Sequence, residues 1–370
     1  MSRKMIALAV AGLFITASGT WAQNVGNGLE PAPDQSITRV GTRGANWLEL
    51  PVGARAQALG ASGTALIRGG ESLYWNVGAM AESESFDIAF SYADLFADAD
   101  ISQQYFGVIV PVGEFGAFGA SVTSLNSGDI IRTTEGYPEG GDPLYGQTFE
   151  FTGFAGSLGY ARRITDRLGL GLAVKLVTEG VADAKASWIG LDVGSLFRTG
   201  LLGLTLGAAV VNIGGDASYE GSAIERVVAA QTGAFPTKDN VPVQYNTRDM
   251  SLPTAFRVSF MFDVSGTPDS WLRTPPAHKL RLLTDFYDSI DSPLLPSVGI
   301  EYSYNEIIYG RIGKRFYSEQ NTSDYRSGSD GLALGGGVWI PVFGKRIGFD
   351  YAYTDMGLLN YVQTFSLGLR

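Results

Sequence analysis

Residues 168–177 read Leu-Gly-Leu-Gly-Leu-Ala-Val-Lys-Leu-Val, so every second side chain from Leu168 to Leu176 lies on one apolar face. The opposite face carries mainly glycine and alanine, with one lysine. Period-two alternation over about ten residues is the pattern of a β-strand whose two faces meet different surroundings. The pattern recurs at 256–263, 298–305 and 347–354. These stretches therefore predict a sheet with one apolar face and one face of mostly small, polar or charged residues.

A soluble β-sandwich alternates in the same way, with its apolar face turned inward. Two features favour a barrel in a membrane instead. The polar face is rich in glycine, alanine and serine with isolated charges, whereas soluble surfaces are dense in lysine and glutamate. The predicted links also alternate between short and long, as in barrels with short periplasmic turns and longer external loops. We therefore predict an all-β fold, a transmembrane antiparallel β-barrel of about 14 strands spanning residues 86–370.

The predicted strands are joined by alternating short and long links. An even number of strands places both ends of the barrel in the periplasm. Strands are predicted near 86–92, 103–112, 117–125, 149–163, 168–179, 186–199, 201–213, 254–264, 278–287, 296–304, 307–317, 331–342, 345–355 and 361–370. The longer links are 93–102, 126–148, 214–253, 288–295 and 318–330, while 180–185 is short for an external loop and 265–277 is long for a periplasmic turn.

The N-terminus has the features of a cleaved export signal. Arg3 and Lys4 precede a short apolar stretch, and small residues end at Ala22. The stretch is too short to anchor the chain in a bilayer. We predict a signal peptide over 1–22 and hence export. Together with the predicted barrel, this places the protein in the outer membrane of a Gram-negative cell.

Two further N-terminal segments precede the predicted barrel. Residues 23–46 contain Pro31 and Pro33 without periodicity and are predicted to be a flexible lead. Residues 47–85 contain many glycines and alanines, which would let the backbone pack closely against a lumen wall. We predict that they form a plug inside the barrel; a periplasmic tail is the open alternative.

Composition and charge narrow the function. The net charge is −10, which argues against nucleic acid as a partner because such binding needs clustered lysine and arginine. There is no cysteine, and His278 is the single histidine. Because nucleophilic catalysis normally needs an oriented base, no enzyme activity and no cofactor are expected. Asp94, Asp98 and Asp100 offer oxygen ligands for Ca²⁺, but their spacing lacks the glycine and glutamate of an EF-hand, so no metal is expected.

Residues 46–65 and 71–81 resemble the start of the PorV/PorQ family, whose members belong to the wider FadL-like barrels. The matching elements are Ala54-Arg55, the glycine-rich run through Gly60 and Gly63, and Tyr-Trp-Asn at 74–76. Val77 stands where the family usually has proline, and Gly78-Ala79 reverses the usual order. The resemblance implies an outer-membrane barrel with an N-terminal element folded into it, and a role in the type IX secretion system.

The plug segment supplies one group of candidate site residues. We predict that Trp75 packs inside the barrel mouth, that Asn76 hydrogen-bonds a turn, and that Arg55 meets lumen carboxylates such as Glu301. A structural role is favoured over ligand binding. The full group is Arg55, Gly60, Gly63, Tyr74, Trp75 and Asn76.

The second group consists of charged residues on the polar face of the strands. A charge facing lipid near the midplane would cost roughly 2–4 kcal/mol, so inward placement is predicted. Such charges could line a polar conduit or binding lumen, or could pair with each other and with the plug; pairing is favoured because both signs occur. The group is Lys175, Asp192, Arg257, Arg281, Asp285, Glu301, Arg311 and Asp350.

Aromatic residues near strand ends are predicted to form the interfacial girdle of the barrel. The longest predicted loop, 214–253, has apolar content and is the predicted surface for partner recognition. The girdle residues are Tyr92, Trp188, Phe286, Tyr302, Tyr304, Tyr351, Tyr353 and Tyr361.

Two functions follow from these predictions. The first is a non-enzymatic barrel that binds secreted cargo or attachment-complex proteins of type IX secretion through its outer loops. The alternative is a FadL-like transporter of hydrophobic small molecules. Transport requires an apolar pocket, whereas protein interaction tolerates a filled, charged lumen. An apolar cavity above the plug would therefore favour transport.

Overall fold

The alternating segments form a closed antiparallel barrel in the computed structural model. The structure describes residues 41–97, 99–143, 146–229, 240–272, 274–317 and 329–370. The predicted signal and residues 23–40 of the predicted lead lie outside the described residues. In the part that is described, no helix combines the length and apolarity needed to span a bilayer.

Fourteen strands, labelled β1 to β14, make up the barrel wall. Each pairs with the next along the chain, and β14 pairs with β1 from Ile88↔Leu369 to Asp94↔Gln363, which closes the sheet. The fourteen-strand prediction is thereby confirmed. The strands are β1 Asp87–Leu95, β2 Ile101–Pro111, β3 Ala117–Asn126, β4 Phe151–Arg163, β5 Leu168–Val181, β6 Ala184–Arg198, β7 Leu204–Gly214, β8 Ala255–Ser265, β9 His278–Ser289, β10 Ser292–Tyr304, β11 Ile308–Arg315, β12 Leu332–Val342, β13 Lys345–Asp355 and β14 Tyr361–Leu369.

The two faces of the wall follow the sequence alternation. On β5, Leu172 and Leu176 point outward and are about half exposed, while Ala173, Lys175 and Val177 are buried inside. Similar outward apolar side chains continue around the barrel, for example on β14. This continuous apolar outer band is the surface that a barrel turns toward lipid.

The links at the loop end differ from the prediction. Links 182–183 and 290–291 are two-residue turns, because the flanking strands extend further than expected. The predicted loop over 288–295 is therefore wrong, because a register shift between Tyr287 and Ser289 lets the pairing continue to the turn. Other loop-end links contain short paired strands, namely Ile130–Ile131 with Thr148–Phe149, Asp216–Ala217 with Met250–Ser251, Glu225–Ala229 with Asn240–Gln244, and Glu220–Gly221 against β6.

The remaining short elements are isolated helical turns. Three of them lie in links between strands, and five belong to the segment that precedes β1. The link turns are Gly113–Phe115, Ser222–Ile224 and Gly357–Leu359, and those of the N-terminal segment are Asn46–Glu49, Ala54–Gln57, Gly69–Glu71, Ser72–Trp75 and Val77–Glu82.

This N-terminal segment, residues 41–85, enters the lumen at the loop end. The backbone amides of Gly41 and Thr42 donate to the carboxylate of Asp291, in the loop-end turn between β9 and β10. At the other end, the Gly70 amide donates to Asp87, the first residue of β1. The first strand therefore begins and the last strand ends at the turn end, as an even number of strands requires, whereas the segment before them enters from the loop end.

Glycines of the wall make room for this segment. A Cβ atom on Gly313 of β11 would lie 2.0 Å from the carbonyl carbon of Leu59, and one on Gly171 of β5 would lie 2.5 Å from the Val77 oxygen. Backbone therefore touches backbone at these points, which only glycine permits. Gly107, Gly194, Gly207 and Gly299 also lie against backbone atoms of the segment, whereas Gly119, Gly153 and Gly159 lie against side chains.

We expect Gly313→Ala to loosen the N-terminal segment without opening the barrel. The added methyl group collides with backbone rather than with a flexible side chain, and overpacking of this kind costs about 1–3 kcal/mol. Hydrogen exchange of purified protein should quicken over residues 54–67 and stay unchanged in the strands. Gly310→Ala is the matched control, because nothing lies within 4 Å of a Cβ at this site on the same strand. Equal exchange in both variants would contradict the proposed contact.

Candidate functional site

The lumen of the barrel is the candidate site. Along its axis, from the loop end to the turn end, lie an apolar cavity, the N-terminal segment with a layer of buried charges, and an arginine-lined mouth. The structure places every predicted site residue in or against this lumen.

The three consecutive residues 74–76 hold the segment in its fold. The hydroxyl of Tyr74 donates to the carbonyl of Leu50 at 2.8 Å, and the indole of Trp75 donates to that of Val52 at 2.9 Å. The side-chain amide of Asn76 donates to Ser195 of β6 at 2.8 Å and accepts from the Gly78 amide at 3.0 Å. Three neighbouring side chains thus tie distant turns of the segment together, and Asn76 also ties them to the wall.

Gly60 and Gly63 are positions of close approach. Gly60 has φ +69° and its α-carbon faces the backbone of Lys314, where a Cβ would lie 2.7 Å away. A Cβ on Gly63 would lie 2.5 Å from the ring of Trp75. Neither site accepts a side chain without displacement of its neighbour.

Glu301 of β10 is the centre of the charge layer. It is 1 % exposed and accepts two hydrogen bonds from Arg55, at 2.8 and 2.7 Å. Arg281 and Arg311 from the adjacent strands donate to it at 3.0 and 2.8 Å. Arg311 continues to Asp350 at 2.6 Å. Arg55 therefore fastens the segment to a network that spans five elements of the structure.

The pKa of Arg55 reflects this environment. Burial by itself would lower that pKa, but the Glu301 carboxylate beside it has the larger combined effect and raises it. The guanidinium therefore stays charged, as an ion pair inside the lumen requires.

A second group of charges lies toward the β5–β7 wall. Lys175 contacts Asp192 at 2.7 Å and donates to Asn212 at 2.8 Å. The Asn212 amide donates to Asp192 at 2.7 Å, at a bulge where Asn212 has φ +60°. Asp285 receives the amides of Gly63 and Thr64 from the segment. The buried carboxylates of Asp192 and Asp285 therefore both accept hydrogen bonds.

Arg257 is surrounded by aromatic rings and forms no ion pair with a carboxylate among the described residues. It is 4 % exposed, and its guanidinium lies 4.7, 5.1 and 5.3 Å from the ring centres of Tyr74, Trp75 and Tyr287. It also donates to the Tyr74 carbonyl at 2.8 Å. Of the eight predicted lumen charges, six take part in ion pairs, while Arg257 and Asp285 serve the segment through rings and backbone.

A cavity of about 240 Å³ lies above the segment at the loop end. Its polar edge includes Glu49, whose pKa is raised by burial, while the hydrogen bond from Ser289 opposes the shift. Arg315 lies at the same edge. The apolar lining is Leu50, Pro51, Ala61, Leu95, Phe96, Leu295, Met356 and Val362.

Sequence reasoning missed this cavity and misplaced one aromatic residue. Cavity residues such as Leu95 and Leu295 are apolar residues on the inner face. No pattern in the sequence around them predicts that they lie above the segment. Trp188 was predicted in the outer girdle but is 3 % exposed and turned inward, because its indole donates to Met250 and its ring covers Gly44. Residue 98 of the weak calcium candidate lies outside the described residues.

A closed fourteen-stranded wall with an apolar outer band defines an integral outer-membrane β-barrel, and this is the class of the protein. No family model matches the chain, and no curated protein matches its sequence.

Solved structures match the fold. The toluene transporter TbuX of Ralstonia pickettii aligns with a TM-score of 0.51 and 13 % identity over 86 % of this chain and 97 % of that one. The toluene transporter TodX of Pseudomonas putida aligns with a TM-score of 0.51 and 11 % identity over 86 % and 96 %. A FadL homologue of Pseudomonas aeruginosa aligns with a TM-score of 0.47 and 12 % identity over 86 % and 98 %. The alignments with TbuX and TodX confirm the FadL-like barrel fold, while the narrower PorV/PorQ assignment stays a prediction.

Proposed function

We propose that the protein carries hydrophobic small molecules across the outer membrane. The observation that supports this most directly is the apolar cavity at the loop end, above the N-terminal segment. A transporter of hydrophobic molecules needs such a cavity, whereas a barrel that only binds proteins does not need one. The alternative from the sequence analysis therefore becomes the leading hypothesis.

The fold comparison supports the same proposal. TbuX and TodX share the barrel and are toluene transporters, so a monocyclic aromatic hydrocarbon is a suitable first probe for this chain. An apolar ligand leaving water for this cavity would gain about 25 cal/mol for each Å² of apolar surface buried. We expect entry from the loop end, where the cavity is closest to the outside.

Movement beyond the cavity requires a rearrangement. Directly below it, the Arg55–Glu301 pair and backbone contacts such as Leu59 on Gly313 fill the lumen. A hydrophobic molecule gains nothing from the charged layer, so passage needs a displaced segment or an exit through the wall. The proposed transport cycle therefore begins with ligand binding against the upper face of the segment.

Leu295→Trp should block uptake by filling the cavity. Leu295 lines the cavity, whereas the adjacent Leu294 is half exposed on the outer face, so Leu294→Trp is a matched control. Overpacking of about 1–3 kcal/mol corresponds to a loss of ligand affinity of about fivefold to more than a hundredfold. The measurement is uptake of labelled toluene by cells that express each variant at equal outer-membrane levels. Equal uptake in both variants would overturn the proposal. Wild-type uptake no higher than that of cells without the barrel would also overturn it.

The role in type IX secretion rests on the resemblance of residues 46–81 alone. The fold comparison does not support it, and residues 230–239 of the predicted recognition loop lie outside the described residues. Binding of secreted cargo or attachment-complex proteins stays a prediction, which co-purification from solubilised outer membranes can test.

A further inference from the structure

Six arginines line one cavity at the turn end of the lumen, on the opposite side of the N-terminal segment from the apolar cavity. The volume is about 430 Å³. Two of the arginines come from the segment, and four come from the wall strands β6, β9, β13 and the end of β14. They are Arg55, Arg68, Arg198, Arg281, Arg346 and Arg370.

Three of these side chains remain partly open to the cavity. Arg198 is 58 % exposed, Arg346 is 36 % exposed and Arg370 is 35 % exposed. Arg198 contacts Glu82 through its Nε at 2.5 Å, and Arg346 contacts Glu306 through Nη1 at 3.3 Å. A guanidinium has five N–H donors, so each retains donors for a further acceptor.

The lining of the cavity is richer in arginine than in carboxylate. Six arginines line it with four carboxylates, from Glu82, Asp263, Asp269 and Glu306. Two carboxylates behind the lining complete the pairing, since Arg55 and Arg281 contact Glu301 and Arg370 contacts Asp87. The pKa of Arg68 is lowered, first by burial and further by the nearby cations Arg198 and Arg55, against the opposing effect of Glu82. The positive groups therefore act on one another inside this mouth.

We propose that the turn-end mouth binds a multivalent oxyanion, of the phosphate or polycarboxylate type. Guanidinium groups bind such oxygens through paired, charge-assisted hydrogen bonds, which lysine cannot reproduce. A ligand with two or more negative charges would accept from the exposed guanidinium groups of Arg198 and Arg346 and so bridge opposite walls of the mouth. This site is independent of the proposed transport function, because the segment separates it from the apolar cavity.

The test is calorimetric titration of the purified full chain in a zwitterionic detergent at constant ionic strength. Pyrophosphate and citrate are the probes for the two oxyanion types, and chloride is the comparison anion. We expect one or both probes to bind and chloride not to compete. Binding of citrate alone would assign the polycarboxylate type, and binding of pyrophosphate alone the phosphate type.

The double variant Arg198→Gln/Arg346→Gln locates the site. Both side chains are partly exposed, and their carboxylate partners keep a second cation, since Glu82 retains Arg68 and Glu306 retains Lys279. Loss of charge-assisted hydrogen bonds should weaken binding at least tenfold, which corresponds to about 1.4 kcal/mol. Arg162→Gln, on the outer face of β4, is the control and should bind as the wild type does. No binding of either probe, or binding that the double variant leaves unchanged, would overturn the proposal.

Discussion

Glu301→Gln is expected to lower the free energy of unfolding of the barrel by about 3–5 kcal/mol. Breaking a buried ion pair by removing one partner has this cost, because the remaining charge is left without compensation inside the protein. Here one carboxylate serves Arg55, Arg281 and Arg311. The neutral amide would leave Arg55 without its ion-pair partner Glu301 and would concentrate three cations in one layer.

The measurement is denaturant unfolding in lipid vesicles, followed by tryptophan fluorescence. Glu306→Gln is the matched control: Glu306 is 39 % exposed and pairs with Lys279 and Arg346 near the rim. Exposed pairs contribute about 0–1 kcal/mol, so the control should change little. If both variants lost the same free energy of unfolding, the buried charge layer would not be what holds the N-terminal segment to the barrel wall.

Glu71→Gln is expected to remove a pH dependence from the packing of the N-terminal segment. Glu71 is 8 % exposed, and its carboxylate lies against the backbone of Gly53, which has φ +84°. Burial, followed by the negative charge of Asp350, raises the pKa of Glu71 from 4.5 to about 7, while Arg370 and Arg55 oppose the shift. Asp87 on β1 raises the pKa further, and Gly70 next to Glu71 accepts from Tyr105.

The direction of the pH effect on the stability of the segment follows from the protons bound in the native and unfolded states. Between pH 4.5 and about 7 the native state holds the Glu71 proton and the unfolded chain has lost it, so rising pH destabilises the packed segment. The total change from this one group is about 3 kcal/mol, since each pKa unit corresponds to about 1.36 kcal/mol. Above pH 7 the ionised carboxylate remains buried and the segment is at its least stable.

Hydrogen exchange of residues 46–82 at pH 5 and pH 8, corrected for the intrinsic pH effect, measures this difference. The wild type should exchange faster at pH 8, and Glu71→Gln should exchange equally at both. Glu84→Gln is the control, because the Glu84 side chain is 86 % exposed. Wild-type protection that is the same at both pH values would show that the Glu71 carboxyl does not control the segment.

The wall of the barrel was predictable from the sequence. The period-two pattern of β5 and β13 already separates the outward face from the inward face, because neighbouring side chains on a strand point to opposite sides. The inward direction of charges such as Lys175 and Asp350 follows from the same pattern. Strand ends near prolines were less predictable, as β9 and β10 illustrate, because a bulge can absorb residues that suggest a loop.

The contents of the lumen were only partly predictable. Arg55 was expected to meet Glu301, Trp75 to pack inside the barrel mouth and Asn76 to hydrogen-bond a turn. Trp75 instead packs within the segment, against Ala56 and Ile67. The entry of the segment at the loop end, the aromatic surroundings of Arg257 and the inward turn of Trp188 had no signal in the sequence. Each depends on side chains from strands that are neighbours only across the lumen.

By itself, the sequence determined the fourteen strands, the two faces of the wall and the presence of inward charges, since these properties depend on residues close together in the chain. Tertiary structure alone decided which charges pair, where the segment enters and where cavities remain. Arg55 and Glu301 are 246 residues apart in the chain and meet at 2.7 Å only because the barrel closes around the segment. The position of the apolar cavity depends on the same closure, because it is the space between the segment and the wall that neither fills.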